Sequence, residues 1–357
     1  MLKIYSYSIP FSTPFITAKD SYSVRNGLIL TFENDGISAF GEIAPLPGFS
    51  DYSLNDIIPI LQLNKSAIEK AFLEDDFDQF FYVLSQIHNI PSLKFGLDTL
   101  YHDYKAKKAG LGLADFLFKG SFQKSIAANA TLSISESSDA LEKATVLYNE
   151  GYRTFKIKVG ADFNEEFEIL SLLREKYPDV KLRIDANQSW TYKQAYSKLK
   201  QMELLDLEYC EEPLLHAEID RLSELKKSLK INLAADESFR NKADASSLIQ
   251  QNAVNTFILK PMMFGSFLEI NVTKQLADSH YISVVLTTSI ESIIGRTVTG
   301  ILALGWGAEK YAHGLSTGSL LEYDIGVGNN IINGAFQAPS KPGIGIDLNY
   351  NSLKQII

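Results

Sequence analysis

The chain has 357 residues, 45% hydrophobic and 22% charged, which is typical of a globular protein too large for one small core. Its 34 basic and 43 acidic side chains give a net charge of −9, the wrong sign for neutralising phosphates, so nucleic acid is not an expected partner. The most apolar stretch, residues 283–308, carries Glu291 and Arg296 and therefore predicts a buried strand and core helix rather than a membrane span.

Cysteine content and the first residues bear on the compartment. Cys210 is the single cysteine, so the chain has no internal disulfide. The opening segment MLKIYSYSIP lacks the basic and then apolar pattern of a secretion signal. Both features predict a cytoplasmic protein. The sequence leaves open whether the chain is a monomer or a homo-oligomer.

The first 110 residues predict an α+β unit. Residues 3–9 alternate as a strand does, and two further apolar runs flank the turn sequence Asn34-Asp35-Gly36, which suits a hairpin. These runs are residues 28–32 and 37–42. Helical patterns follow at residues 54–63, 76–86 and 94–107. We therefore predict a three-strand meander covered by helices.

From residue 125 onward, short β-branched runs alternate with amphipathic stretches, a pattern typical of a parallel sheet built from βα units. The predicted strands are residues 126–132, 154–159, 182–185, 207–211, 233–236, 257–260 and 284–288, with an eighth near Leu315. This run favours a closed (β/α)8 barrel of the TIM type over residues 111–320, with an open doubly wound sheet as the alternative. Residues 321–357 are irregular and are predicted to return to the unit formed by residues 1–110.

Ionisable residues end five consecutive predicted strands, at successive spacings of 27, 26, 25 and 24 residues. They are Lys158, Asp185, Glu211, Asp236 and Lys260. Active sites of barrel enzymes lie at the carboxyl ends of the strands, so these side chains are expected to converge on one small volume. Taken singly, each acid is equally well explained as the N-cap of the following helix. Three acids in phase, with lysines on both sides, favour a functional site.

The three carboxylates would repel one another without a cation between them. Oxygen donors without His or Cys favour Mg2+, with Mn2+ as the alternative, and we predict Asp185, Glu211 and Asp236 as the ligands. Lys156 and Lys158 lie two residues apart and face the same side of their strand. Mutual repulsion and burial are expected to lower their pKa values, which would suit a general base. Lys260 is predicted on the opposite side of the metal.

Together these residues form a recognisable set of motifs: KxK at Lys156 and Lys158, then DAN, EEP, DES and KP beginning at Asp185, Glu211, Asp236 and Lys260. The chain resembles the enolase superfamily, in its muconate-lactonising subgroup, over nearly its whole length. Within that subgroup, GEIAPLPGFS at residues 41–50 and TTSIESIIG at residues 287–295 are most similar to the o-succinylbenzoate synthase family.

This resemblance implies an enolase-like modified barrel whose mouth is covered by an α+β capping domain. It also implies a carbon–oxygen lyase of menaquinone biosynthesis that removes water from 2-succinyl-6-hydroxy-2,4-cyclohexadiene-1-carboxylate. Lys158 would remove the proton next to the metal-bound carboxylate and return it to the departing hydroxyl. Lys260 would stabilise the enediolate from the other face, and Lys156 would tune Lys158. The succinyl group would lie against Thr288, Ser289, Gly314 and Ser316.

Other members of the superfamily share this catalytic machinery. An N-succinylamino acid racemase is the main alternative, and a dipeptide epimerase or muconate cycloisomerase is more distant. Dipeptide epimerases carry an acidic D-x-D pair near the eighth strand, whereas residues 313–318 here read HGLSTG. A substrate bearing an ammonium group is therefore disfavoured, and a small carboxylate substrate is expected.

Overall fold

The computed structural model describes residues 1–16, 21–74, 80, 82–84, 90–132, 137–215, 218–328 and 331–357. The chain begins with an antiparallel meander of β1 (Leu2–Ile16), β2 (Ser21–Asn34) and β3 (Ile37–Ile43). Asn34 pairs with Ile37 across a turn in which both intervening residues have positive φ, which confirms the hairpin predicted from the sequence.

In the described part of the chain, the helices with defined bounds that cover this sheet are α1 (Leu54–Leu73) and α2 (Pro91–Lys108). The first is ten residues longer than predicted, because Ile68 and Phe72 continue the buried face past the polar Asn64. The helix predicted at residues 76–86 falls largely outside the described residues. α2 packs so closely on β3 that a Cβ on Gly41 would lie 2.1 Å from a backbone oxygen of the helix.

A curled parallel sheet forms the centre of the molecule, with neighbouring strands in sequence order. After β4 (Ser125–Ala127), its strands are β5 (Ala130–Leu132), β6 (Thr154–Lys158), β7 (Lys181–Asp185), β8 (Leu207–Glu211), β9 (Leu233–Ala235), β10 (Thr256–Leu259) and β11 (Ser283–Leu286). The predicted strand 126–132 is thus divided into β4 and β5. The other predicted barrel strands are confirmed within two residues at each end.

Among the residues that the structure describes, the barrel closes without a regular eighth strand. Gly314 bridges to Thr287 beyond β11, and His313 bridges to Ala128 before β5. Leu315 then turns back to the carbonyl of His313, so extended pairing stops after two residues. Burial and, secondarily, the nearby Arg183 lower the pKa of His313 to about 3, so its ring is neutral, and Nδ1 accepts the amide of Leu286. His313 therefore belongs to the closure of the barrel.

Helices surround the sheet: α3 (Leu113–Phe118), α4 (Ser137–Asn149), α5 (Phe163–Lys176), α6 (Tyr192–Met202), α7 (Ile219–Ser228), α8 (Lys242–Gln250), α9 (Pro261–Phe264), α10 (Phe267–Ser279) and α11 (Ile293–Trp306). Most bury one apolar side against the strands, whereas α11 is buried along nearly its whole length. No helix in the described part of the chain is both long and apolar enough to cross a membrane.

The end of the chain pairs both with β4, beside the barrel, and with the N-terminal sheet. It contains β12 (Gly326–Val327), β13 (Ile331–Ile332), β14 (Ala335–Gln337), β15 (Asp347–Leu348) and β16 (Lys354–Gln355). β14 pairs with β4, whereas β16 adds a fourth strand to the N-terminal sheet beside β1. The fold is therefore a modified TIM barrel with a strand-rich N-terminal cap, as the sequence predicted.

Buried carboxylates on α2 join the cap to the rest of the molecule. Asp103 is fully buried and accepts the amides of Phe40, at 2.8 Å, and Ile344, at 2.7 Å. Asp98 accepts the amide of Phe267 at the start of α10. These bonds satisfy backbone donors that would otherwise be buried without partners, and the bond from Phe267 to Asp98 ties the cap to a barrel helix.

Candidate active site

The ionisable residues predicted at the strand ends do meet at one end of the barrel. Lys158 pairs in register with Asp185, and Asp185 pairs with Glu211 on the next strand. Together with Lys156, Asp236 and Lys260, they line one chamber of about 700 Å³. Parallel strands in register bring their terminal side chains to one level, so the sequence spacing was sufficient to predict this convergence.

Two lysines neutralise the three acids directly. Nζ of Lys156 lies 2.9 Å from Oδ2 of Asp185 and 2.7 Å from Oε1 of Glu211. Nζ of Lys260 lies 2.5 Å from Oδ2 of Asp236. All three carboxylates are buried, so each ammonium compensates charge in a region of weak solvent screening.

Lys158 differs from the other two lysines because its ammonium is bonded to a neutral group. Its Nζ donates to Oδ1 of Asn187 at 2.8 Å, and Nδ2 of Asn187 in turn donates to Glu237. Asn187 has a positive φ of 41°, a backbone state that Asn tolerates better than most residues. Asn187 therefore fixes the head of Lys158 above the acids, in a position open to the chamber.

The charges around the acids shift their pKa values in opposite directions. Burial and then the neighbouring Asp185 raise the pKa of Glu211 well above its ordinary value. Although burial acts the other way, Lys156 and Lys158 hold the pKa of Asp185 below its ordinary value. One prediction was wrong: Asp185 and Glu211 outweigh burial and raise the pKa of Lys156 well above normal. Contact with two carboxylates has more effect on this ammonium than repulsion from another lysine.

The three acids, Asp185, Glu211 and Asp236, offer only oxygen donors to a metal ion. Within the described residues, no three acidic, histidine or cysteine side chains are grouped closely enough to enclose one, and Lys156 lies between two of the acids. The donors are nonetheless all carboxylates, and burial and then repulsion from Asp185 raise the pKa of Glu211. That chemistry fits a hard divalent cation such as Mg2+. Asp185, Glu211 and Asp236 accordingly stay the predicted ligands.

The chamber wall opposite the acids and lysines, called the far wall below, carries hydroxyl groups and backbone atoms. The predicted contact residues Thr288, Ser289, Gly314 and Ser316 all line it. Thr288 donates its hydroxyl to the carbonyl of Gly314 at 3.0 Å. The hydroxyl of Ser289 is buried and has no hydrogen-bond partner among the described residues, whereas that of Ser316 interacts with Tyr152. An unpaired hydroxyl facing the chamber is suited to a polar group of a ligand.

Sequence reasoning missed several residues of the chamber, among them Arg296, Tyr209 and Glu150. Arg296 lines the far wall and pairs with Asp324, and Tyr209 lines the chamber beneath the acids. The signal for Arg296 was present, since a charge within the apolar segment 283–308 must have a partner or a role. Tyr209 offered no comparable signal, because an aromatic residue in a strand is ordinary.

Aromatic residues from the cap narrow the entrance. Phe11, Phe15 and Phe49 line the chamber from the cap, and the ring centroid of Phe49 lies 5.9 Å from Nζ of Lys260. Residues 17–20 of the cap lie outside the described residues. The cap thus supplies apolar walls, while the barrel supplies every charged side chain at the reacting end.

Fold and site together define a capped (β/α)8-barrel enzyme whose charged groups lie at the strand ends. The family model described as "Enolase C-terminal domain-like" matches residues 139–352, and the one described as "MenC, N-terminal domain" matches residues 1–102. The chain belongs to the enolase superfamily.

Relatives within the superfamily differ in activity. The chain is 31% identical to the o-succinylbenzoate synthase of Pasteurella multocida, with 90% of each chain covered. The N-succinyl Arg/Lys racemase structure from Bacillus cereus has a TM-score of 0.86, at 21% identity, covering 100% of this chain and 99% of that one. The dipeptide epimerase structure from Cytophaga hutchinsonii, complexed with Mg and dipeptide D-Ala-L-Val, has a TM-score of 0.85. It is 25% identical and covers 99% of this chain and 98% of its own.

Proposed function

We propose that this enzyme is a Mg2+-dependent o-succinylbenzoate synthase of the cytoplasm, acting in menaquinone biosynthesis. It would convert 2-succinyl-6-hydroxy-2,4-cyclohexadiene-1-carboxylate to 2-succinylbenzoate and water. Residues 111–320 would carry the chemistry, and residues 1–110 and 321–357 would cover the barrel mouth.

The observation that carries this proposal is the contrast between the two ends of the chamber. One end holds the metal-binding acids and the lysines, and the other holds hydroxyl groups and Arg296. The described lining residues at 287–297 and 314–320 include no carboxylate, and Glu150 lines the chamber separately, beside Tyr152. A substrate with a carboxylate at each end suits this distribution, because Arg296 and the hydroxyl groups can compensate the distal charge.

When bound by Asp185, Glu211 and Asp236, the metal ion would supply positive charge to the substrate carboxylate and so acidify the adjacent C–H bond. Lys158 in its neutral form removes that proton, and Asn187 holds Nζ on the correct face. The ammonium so formed protonates the hydroxyl on the same face, the C–O bond breaks, and water leaves as the ring becomes aromatic. One lysine thus serves both proton transfers of a syn elimination.

Lys260 contributes charge from the opposite face. Its ammonium, paired with Asp236, is positioned to stabilise the negative charge that develops on the substrate. Lys156, between Asp185 and Glu211, favours the ionised form of Asp185 and compensates negative charge next to an anionic substrate. Phe49 and Phe15 exclude water from the reacting face.

A second function, racemisation of N-succinylamino acids, is supported by one feature of the site. Lysines lie on both sides of the acid cluster, as a reaction that exchanges protons on both faces needs. The structural similarity to the Bacillus cereus racemase concerns the fold. In this alternative Lys260 also transfers a proton, so Lys260→Arg separates the two functions.

The test follows the loss of the cyclohexadiene absorbance when purified protein is added to the substrate with Mg2+. We expect rapid loss that EDTA abolishes, at least about 10³-fold slower turnover for Lys158→Ala, and measurable turnover for Lys260→Arg. Lys181→Ala is the matched control, because Lys181 lies on a barrel strand at the end away from the chamber. No turnover by a folded wild type, together with exchange of solvent deuterium into N-succinylamino acids, would replace the dehydratase with the racemase.

A further inference from the structure

Arg25 on β2 is a buried arginine of the cap that binds two loops of the chamber mouth at once. Its side chain is almost completely shielded from solvent. Nη1 donates to the carbonyl of Pro45 at 2.8 Å, and Nη2 donates to that of Ala44 at 2.5 Å. Nε donates to the carbonyl of Ile290 at 2.9 Å. Arg25 therefore bonds the backbone that leads to Phe49 and the backbone that follows β11.

The second of these loops has a strained conformation. Ile290 has a φ of 59°, a left-handed state that is costly for a β-branched residue. Its side chain is buried and lines the chamber beside Thr288 and Ser289. Such strain persists only where the surroundings enforce it. The bond from Arg25 to the carbonyl of Ile290 acts at the strained residue itself.

The cap also holds the far end of the same loop. Glu42 on β3 is fully buried and accepts the amide of Ser292 at 2.8 Å, its hydroxyl at 2.7 Å, and the amide of Gly295 at 2.7 Å. A Cβ on Gly295 would lie 3.0 Å from Glu42, so glycine permits this approach. The loop is therefore fixed at both ends by charged residues of the cap that do not line the chamber.

We propose that Arg25 is a positioning residue for substrate specificity: it holds Ile290 in its strained conformation and so places Thr288 and Ser289 against the far end of the substrate. This inference rests on the proposed function for the identity of the substrate. Arg25 has no contact with the lysines or acids at the reacting end. Its removal is therefore expected to weaken binding of the distal carboxylate and to leave the chemical step nearly unchanged.

Arg25→Met is the variant that tests this role, and Arg174→Met is its matched control. Arg174 also donates to several backbone carbonyls, among them those of Val180 and Leu205, but does so away from the chamber. We expect KM for the cyclohexadiene substrate to rise about tenfold or more in Arg25→Met, with kcat within about threefold of wild type. Arg174→Met should change neither constant by more than about twofold. A fall in kcat at unchanged KM would overturn the proposal.

Hydrogen exchange without substrate tests the loop directly. Peptides covering residues 287–295 should exchange at least about tenfold faster in Arg25→Met than in wild type or Arg174→Met. Equal exchange in all three proteins would overturn the proposal. Because this measurement needs no turnover, it separates failure of the positioning role from failure of the proposed function. If Arg25→Met does not fold, Arg25→Lys, which keeps the charge on a single donor nitrogen, should show the same changes at smaller amplitude.

Discussion

Glu291 predicts an unusual dependence of stability on pH. The side chain is fully buried, and burial together with the nearby Glu42 raises its pKa from the ordinary 4.5 to about 7. An acid whose pKa is raised in the folded state stabilises the fold below the unfolded pKa and loses that contribution as pH rises to the folded pKa. The window for Glu291 therefore runs from about pH 4.5 to about pH 7. Glu291→Gln mimics the protonated form and removes this dependence.

The size of the effect follows from the two pKa values. At about 1.4 kcal/mol for each tenfold change in proton affinity, the full window corresponds to about 3–4 kcal/mol of unfolding free energy. Most of this, about 2–3 kcal/mol, develops between pH 5 and pH 8. An unfolding entropy of about 2 cal/mol/K per residue gives about 0.75 kcal/mol/K for this chain. The melting temperature of Glu291→Gln relative to wild type should therefore be about 3 °C higher at pH 8 than at pH 5.

Thermal denaturation at the two pH values provides the assay, and Glu269→Gln is the control. Hydrogen bonds from Lys94 and Ser266 outweigh burial and lower the pKa of Glu269, so its contribution is lost only as pH falls below about 4.5. Glu269→Gln should accordingly be destabilised to the same degree at pH 5 and pH 8. If the melting temperature of Glu291→Gln differed from that of wild type by the same amount at both pH values, the assignment of a raised pKa to the buried Glu291 would be refuted.

Three further predictions concern the cap and the base. Asp103→Ala should lower the unfolding free energy by about 3–5 kcal/mol in urea titrations, because Lys107 loses its buried partner and two amides lose their acceptor. Gly41→Val should prevent the cap from folding, seen as loss of near-ultraviolet circular dichroism, since its Cβ would overlap a helix carbonyl. Asn187→Ala should lower kcat up to about 100-fold without weakening Mn2+ binding, because Lys158 loses its partner; unchanged kcat would contradict that role.

Sequence reasoning predicted the barrel and the position of its site because both depend on local pattern. An apolar strand that ends in an acid or a lysine predicts where that side chain lies, and parallel register then places the neighbours. Lys158, Asp185 and Glu211 are direct partners across three strands, as their spacing of 27 and 26 residues predicts. The missing eighth strand depended instead on Leu315 turning back after two residues, a feature that apolar pattern does not encode.

The ionic state of the site could not be predicted in the same way. Lys156 and Lys158 share a face of β6, and sequence reasoning treated them as one repelling pair. In the structure Lys156 reaches down to two acids, and Lys158 reaches across to Asn187. A lysine side chain has four rotatable bonds, so its partner depends on the depth of neighbouring groups in the barrel. Strand pattern fixes the face on which an ammonium lies and leaves its partner undetermined.

The buried charges between the cap and the barrel were the feature least visible in the sequence. Arg25 and Ile290 are 265 residues apart, and Glu42 and Ser292 are 250 residues apart. Burying ionised groups costs free energy that apolar packing would avoid, so stability alone is a poor reason for their presence. Directed hydrogen bonds do what apolar contacts cannot: they fix individual carbonyls and amides of a loop. In this protein several of those atoms belong to residues 290–295, in and just after the loop through which Thr288 and Ser289 line the chamber.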